Sequence, residues 1–588
     1  MNEIIFALLK LALGLVFFLF GMEVMSGNLE KMAGGKLELM LKKATSHPIK
    51  SLLLGAGITI AIQSSSATTV MLVGLVNSGI MNFTQTLFVI FGANIGTTLT
   101  PWILSLSGIE GENLALSMLK PENFSAVLAF IGIMMTMLCK KDSKKSIGTI
   151  FVGFAVLMYG MELMKMAVEP LSEQPWFTDL MVKFNNPVFG IVMGAIITAA
   201  IQSSAASIGI LQALSLKASI SYGMAIPIVM GQNIGTCITA IISCIGANAN
   251  AKRVAAMHLS INVIGSAILL ALYSAIDAIV GFAFLDSEVS LVGIALIHTV
   301  FNTAITIILG PLYKWIIKIA TVVVKDDKKK LHHEGFAFHL DERLLQSPAI
   351  AVSECGTHAV KMSKISHESL LLAISLFDNF DMQIVEQVEA NEDKLDKYED
   401  GLGSYLVQLS SRELTLNDSN SISKMLHAIG DFERLGDHAV GLMKNAKEMH
   451  TKGVAFSKAA AAELNVLKQA IEDILSLTIE AYETNDVKLA LRVEPLEQVI
   501  DGLAAKIRDN HIARLKEGKC TIEMGFIHSD VLNNFKRISD HCSNIAVAII
   551  ETKEGNFETH KYLSEYKEGA GHFDEFYAEC KQKYVLEA

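Results

Sequence analysis

Long apolar runs, each about the length that crosses a bilayer as a helix, fill the first 324 residues and then stop. A helix needs about 20 apolar residues to span the hydrocarbon core. Runs of that kind lie at 4–25, 83–107, 123–139, 146–166, 222–245, 254–284 and 291–324. Two more, at about 49–80 and 188–216, carry hydrogen-bonding side chains near their middles, Gln63 to Thr69 and Gln202 to Ser207. A single span would leave those groups at mid-membrane, so each stretch is predicted to be a re-entrant hairpin of two half-helices meeting at the polar cluster. Pro48 and Pro187 suit the first turn of such hairpins, where the missing N–H costs nothing. Past 326–334 apolar residues recur at helical spacing between polar ones, the pattern of water-soluble amphipathic helices.

The polar interruptions are copies of one another. A shift of 139 positions carries Gln63-Ser64-Ser65 onto Gln202-Ser203-Ser204, and Gly21-Met22-Glu23 onto Gly160-Met161-Glu162. It also carries Gly92-Ala93-Asn94-Ile95-Gly96-Thr97 onto Gly231-Gln232-Asn233-Ile234-Gly235-Thr236. The spans at 83–107 and 222–245 are predicted to break at their Asn-Ile-Gly motifs, because glycine weakens a helix interior. With one helix, one hairpin and two further helices, each copy crosses three times. An odd number inverts the second copy, as in many secondary transporters.

Charge divides the chain the same way. Residues 1–335 hold 22 Lys/Arg against 18 Asp/Glu, and residues 336–588 hold 27 against 42. A mean hydropathy of +0.41 averages a membrane part with a polar one. The acidic second part argues against a nucleic-acid partner. Lys31, Lys36, Lys42 and Lys43, then Lys140, Lys141, Lys144 and Lys145, Lys252 and Arg253, and Lys325 with Lys328 to Lys330, fall on one side. Glu110, Glu112, Glu169, Glu173, Asp286 and Glu288 fall on the other. The positive-inside rule then puts the N-terminus outside and everything past 324 in the cytoplasm of a cell with this chain in its plasma membrane. The start, Met1-Asn2-Glu3, lacks a basic leader, so the first run is predicted to be an uncleaved span. Seven scattered cysteines form no CxxC pair and predict reduced thiols.

A hairpin tip offers a helix N-terminus, hydroxyls and amides in one place, which suits a tetrahedral oxyanion. Serine, threonine and asparagine oxygens suit a small hard cation beside it. Small polar residues also let membrane helices approach closely, but two motif pairs at one offset favour a ligand site. Glu23 and Glu162 read as interfacial carboxylates and Lys165 and Lys217 as snorkelling cations. His258/Asn262 and His298/Asn302 read as hydrogen-bonding pairs on one helix face.

The doubled Gln-Ser-Ser with Gly-Ala-Asn-Ile-Gly-Thr over about 1–320 resembles the type II sodium–phosphate cotransporter family. The resemblance implies transport of inorganic phosphate coupled to the sodium ion. It implies binding by Gln63, Ser64, Ser65, Ser66, Thr68, Asn94 and Thr97, with Gln202, Ser203, Ser204, Asn233 and Thr236 from the second copy. Ala205 stands where the second motif would have its third serine.

The polar part repeats as well. Glu433-Arg434-Leu435-Gly436-Asp437-His438 answers Lys536-Arg537-Ile538-Ser539-Asp540-His541, and Glu392 with Asp396 answers Glu497 with Asp501. Two three-helix units in an all-α bundle follow. Carboxylates four apart share a helix face, so Glu392, Asp396, Glu433 and Asp437 could form one divalent-metal cluster, and Glu497, Asp501 and Asp540 another. Over about 345–552 these motifs are similar to PhoU, the phosphate-uptake regulator, which implies a metal such as iron, manganese, zinc or magnesium. Lys536 departs from that pattern where an acid would stand. Nothing groups as an enzyme's nucleophile, base and oxyanion donors.

The expected architecture is therefore all-α: a polytopic membrane protein with inverted repeats and re-entrant hairpins, then a cytoplasmic PhoU-like helical bundle. Its expected parts are 1–145, 146–324, a linker 325–344, the bundle 345–555 and a tail 556–588. Lipid, phosphate and sodium are the expected partners, and the chain could pair as a homodimer. Two other readings stay open: a membrane-anchored metal sensor that conducts nothing, and a sodium symporter for another small anion.

Overall fold

Helices and connecting turns account for nearly all of the structure, a computed structural model that describes residues 2–43, 47–106, 121–172, 174–325, 340–412, 414–554 and 571–586. Glu110, Glu112, Glu173 and Lys328 to Lys330 lie outside the described residues, as do most of the expected linker and the start of the expected tail. The chain forms two compact units: 1–333 with 341–350, and 334–340 with 351–588.

The first unit begins with a long helix, α1 (Asn2–Lys43), which runs unbroken well past the apolar stretch that predicted it. The first polar interruption then gives α2 (Pro48–Ile62) and α3 (Ser65–Asn77), with Gln63 in the left-handed region at φ 59° between them. The broken span follows as α4 (Phe83–Gly96) and α5 (Leu99–Ser105). The break falls just past the glycine, at Thr97 and Thr98. Next come α6 (Pro121–Leu138), α7 (Asp142–Ser172) and a short amphipathic α8 (Pro175–Phe184) that the apolar pattern did not predict. The second hairpin is α9 (Pro187–Ile201) and α10 (Ser204–Ser215), with Gln202 at φ 62°. The second broken span is α11 (Tyr222–Gly235) and α12 (Cys237–Ser243), and α13 (Ala249–Val280) follows. The predicted span 291–324 is two helices, α14 (Leu291–Leu309) and α15 (Tyr313–Val323). Gly310-Pro311 separates them, since proline has no N–H to give and its ring clashes with the preceding turn of a continuing helix.

Among the described residues, six helices or helix pairs of this unit are long and apolar enough to cross a membrane. Their outward side chains, Phe6, Leu9, Val16, Phe20, Val300 and Ile307 among them, are exposed apolar residues, as lipid contact requires.

Inversion can be read from close backbone approaches. α1 and α7 lie so near that a Cβ on Gly14 would stand 2.9 Å from the Gly160 carbonyl oxygen, and one on Gly21 would stand 2.5 Å from that of Gly153. Gly14 and Gly153 are duplication mates, as are Gly21 and Gly160. Each residue therefore meets its partner's mate, the signature of an antiparallel pair about a two-fold axis. Both hairpins obey the same axis. α2 runs parallel to α4, with Gly92 against the Leu52 carbonyl and Gly96 against that of Ala56. α9 and α11 repeat this through Gly231 against Ile191 and Gly235 against Ala195. Because α3 turns straight into α4 at 78–82, it must run against α2, which makes the pair a true hairpin.

The two hairpins open at opposite ends. At the first, the Asn248 amide donates to Asn77 Oδ1 at 2.8 Å, while Arg253 donates to the Val324 carbonyl at 3.2 Å and stacks over Phe83. At the second, Val289 donates to the Ile220 carbonyl at 2.8 Å and Lys217 pairs with Glu169 at 2.7 Å. Lys165 likewise pairs with Glu162 at 3.3 Å, so each lysine expected to snorkel has a carboxylate partner.

The segment 341–347 belongs to this unit, beyond the point where the linker was expected to leave it. Asp341, 2% exposed, caps the turn Glu342–Gln346 through the Arg343 amide, accepts from Asn77 and pairs with the Arg343 guanidinium at 3.1 Å. Arg343 donates onward to the carbonyls of Ser243 and Ile245. Leu344 fills the space beside Gly74. Loss of the carboxylate leaves a half-buried guanidinium and Asn77 short of a partner, which costs about 1–3 kcal/mol. Asp341→Ala is therefore expected to raise tryptic cleavage after Arg343 several-fold, read by mass spectrometry. Unchanged cleavage would remove this latch from the account.

In the second unit α16 (Pro348–Ser375), α17 (Met382–Ser410) and α18 (Leu416–Lys452) make one three-helix group. α19 (Lys458–Thr484), the short α20 (Val487–Ala490), α21 (Val493–Lys516) and α22 (Ile522–Glu554) make the other. α18 packs on α22 through reciprocal pairs: His438 with Asn534 at 2.9 Å and His541 with Asp431 at 2.8 Å. Both partners of one pair sit 103 positions from those of the other. The expected tail carries a further helix, α23 (Gly571–Lys583), held by Arg492 over Phe576 and by Asp473 accepting from Tyr584 and Lys583.

Candidate functional site

The polar tips of the two hairpins meet. Ser66 Oγ donates to the Gln202 carbonyl at 3.3 Å, joining residues 136 apart in sequence. The reciprocal bond is missing because Ala205, the mate of Ser66, has no hydroxyl. Each tip joins the C-terminal end of one short helix to the N-terminal end of the next. The first end is partly negative and the second partly positive, so one locus offers poles for a cation and for an anion.

Each tip is built alike. Ser64 and Ser203 cap α3 and α10, accepting from the amides of Ala67 at 3.1 Å and Ala206 at 3.2 Å. Thr59 and Thr68 bond across the first hairpin at 3.2 Å, and their mates Thr198 and Ser207 across the second at 2.7 Å. These bonds staple the antiparallel halves just behind the tip. Gln63 and Gln202 take the left-handed conformation that reverses the chain, a conformation a β-branched residue strongly resists. Gln63 Oε1 accepts from Thr100 at 2.7 Å, which ties the tip to the broken span.

The residues named from sequence fall into two sets. Ser65 and Ser204, both 5% exposed and duplication mates, begin α3 and α10, and among the described residues neither hydroxyl has a protein partner. With Gln202 they are the side chains most available to a ligand. The others are engaged. Thr68 also donates to the Ser64 carbonyl, and Thr97 and Thr236 donate to carbonyls one turn back. Asn94 donates to Asn262 at 3.3 Å and Asn233 to the Val229 carbonyl at 2.9 Å. These bonds leave the amide oxygens of Asn94 and Asn233 as acceptors.

Sequence reasoning missed Thr59, Thr198, Thr100 and two glutamines. Thr59 and Thr198 share the 139 offset and could have been found by it. Gln212 and Gln232 could not, because their mates are Val73 and Ala93. Gln232 donates to the Ser207 carbonyl at 2.9 Å, and Gln212 bridges the Pro101 and Leu291 carbonyls at 3.0 and 2.9 Å.

The acidic sets in the second unit differ from one another. Glu392, Asp396, Glu433 and Asp437 face each other across α17 and α18. Burial and the neighbouring carboxylates raise Glu392 and Asp396 above the usual carboxylate range and push Glu433 up to about 6. Among the described residues no three potential ligands converge as a closed metal site. In the other set Lys536 donates to Asp501 and lies near Asp540 and Glu497. That ion pair occupies one carboxylate of the second expected cluster.

The first set remains an attractive place for a cation. A carboxyl whose pKa is raised on folding opposes folding as pH climbs from about 4.5 through 6. In chelator, thermal stability of this unit should therefore fall between pH 5 and 7. Added manganese should restore it at pH 7 and have less effect at pH 5, where Glu433 is already largely protonated. Equal stability at both pH values, with no manganese effect, would contradict this.

The chain matches a family model described as Na+/Pi-cotransporter over residues 17–166 and 171–299, and one described as PhoU domain over 359–446 and 464–549. It is 22% identical over 564 residues to "Putative inorganic phosphate export protein YjbB" of Salmonella typhimurium, covering 94% of this chain and 99% of that one. It is 31% identical over 257 residues to Uncharacterized protein YqeW of Bacillus subtilis, covering 44% of this chain and 79% of that one. Over 105 residues it is 35% identical to Sodium-dependent phosphate transport protein 2A of Mus musculus, covering 17% of this chain and 16% of that one.

Proposed function

Because the chain belongs to the Na+/Pi-cotransporter family and carries a PhoU domain, we propose that it carries inorganic phosphate across a cell membrane with sodium, at the meeting of its two hairpin tips. The observation that carries this reading is the contact of Ser66 with the Gln202 carbonyl, which joins the tips of two inverted repeats.

In this mechanism sodium takes oxygens near the C-terminal ends of α2 and α9, with the amide oxygens of Asn94 and Asn233 as further donors. Its charge lowers the repulsion a phosphate dianion meets in a low-dielectric site. Phosphate then accepts from the hydroxyls of Ser65 and Ser204 and from the first N–H groups of α3 and α10. Sodium and phosphate are cargo. Movement of the stapled hairpins against the rest of the unit exposes the loaded tips to the other side. The basic residues put the second unit in the cytoplasm, where it would regulate the carrier, with a divalent metal at the first acidic set.

Labelled-phosphate flux in proteoliposomes tests the coupling. A sodium gradient should drive accumulation, and sulfate or a carboxylate should not compete. Flux indifferent to sodium would refute the coupling, and competition by another anion would change the cargo.

A further inference from the structure

The second unit holds a cavity of about 550 Å3 that the transport reading does not use. That volume is in the range of small-molecule sites, about 300–1,000 Å3. It is bounded by the first half of α16, the start of α18 and the end of α19, and Lys361, Lys364 and Lys424 line it. In a half with 27 Lys/Arg against 42 Asp/Glu, three ammoniums round one cavity run against the local charge.

Their partners make the cavity more unusual. Lys364 pairs with Glu483 at 2.9 Å, the one carboxylate in the lining. Lys361 is exposed and, among the described residues, has no ion pair. Lys424 is half-buried, yet among the described residues its ammonium meets only neutral groups, Asn485 Oδ1 at 2.9 Å and the face of Tyr482 at 5.0 Å. Burial lowers its pKa below the ordinary lysine value, so an anion at hand would stabilise it. Lys361 and Lys364 are three apart on α16 and so share a face. The remaining wall is mainly apolar, formed by Val352, Val360, Met425 and Tyr482 with Ser353, Thr357 and Ser421 among them, and at Gly356 an added Cβ would meet nothing within 4 Å.

Three lysines against one glutamate leave a surplus of two positive charges, more than a neutral ligand would need. A wall of aliphatic side chains and one buried tyrosine is more apolar surface than orthophosphate could use. We propose that this cavity binds a nucleoside diphosphate or triphosphate, its phosphates on Lys361, Lys364 and Lys424 and its base along the apolar wall. The site bears on α16, which directly follows the latched segment 341–347 in the chain.

The test is equilibrium binding of labelled ATP to the full chain in detergent, with sodium and orthophosphate saturating so that the transport core is filled. ATP should bind saturably with one site per chain. Lys361→Glu, an exposed position where refolding is not at issue, should weaken binding at least about tenfold, while Lys424→Arg should retain it. Absence of saturable ATP binding, or wild-type binding by Lys361→Glu, would overturn the site. Pyrophosphate displacing ATP with equal affinity would remove the nucleoside from the assignment.

Discussion

Valine in place of Gly92 is expected to abolish sodium-driven phosphate flux, with little folded protein recovered. A Cβ at Gly92 would stand 2.0 Å from the Leu52 carbonyl oxygen, and one at Gly231 equally close to that of Ile191. Those contacts are with backbone, which cannot rotate away, so α2 would have to leave α4. Overpacking of this kind costs about 1–3 kcal/mol in a yielding core, and more where two backbones are held in register. The Thr100–Gln63 bond would be lost with the register, because it joins the broken span to the tip. Gly231→Val should do the same to the second hairpin. Gly57, beside which an added Cβ would meet nothing within 4 Å, should accept alanine without loss. Fluorescence-detected size exclusion and proteoliposome flux read all three. Normal flux in Gly92→Val would mean that the packing described for α2 and α4 is wrong.

A different separation is expected at Gln63. Gln63→Val places a β-branched residue at φ 59°, which costs about 1–2 kcal/mol of backbone strain, and also leaves Thr100 without its acceptor. Expression should fall and flux with it. Gln63→Gly accepts the same conformation freely and removes only the side chain. It should therefore express near normally while flux falls at least tenfold. If both variants behave alike, the side chain has no role beyond making the turn.

Much of this architecture is legible in the sequence because a duplication copies side chains along with folds. Gln63 and Gln202 mark the two reversals, and Pro48 and Pro187 mark where each hairpin begins, since a buried polar cluster in an apolar run has few physical solutions. The glycines have a different role from the one their chemistry suggests in isolation. Gly92, Gly96, Gly231 and Gly235 look like weak points in a helix, whereas they bring two helices into contact and the break comes just after. The division of 291–324 is written in Gly310-Pro311, and total apolarity conceals it.

Other features have no sequence signal. Asp341 and Arg343 sit in a polar stretch like many others, and only the ends of α3 and α12 show what they grip. The unequal acidic sets are legible from the lysine alone, because an ammonium one turn from Asp540 can neutralise what a metal would otherwise hold.

Everything functional depends on the two tips sharing one place. The direct test is oxidative cross-linking of Ser66→Cys paired with Gln202→Cys in native membranes, with each single variant controlling for the free native cysteines. The account predicts an intramolecular bond in the double variant alone, reversed by reductant. Failure of the pair to join would contradict it.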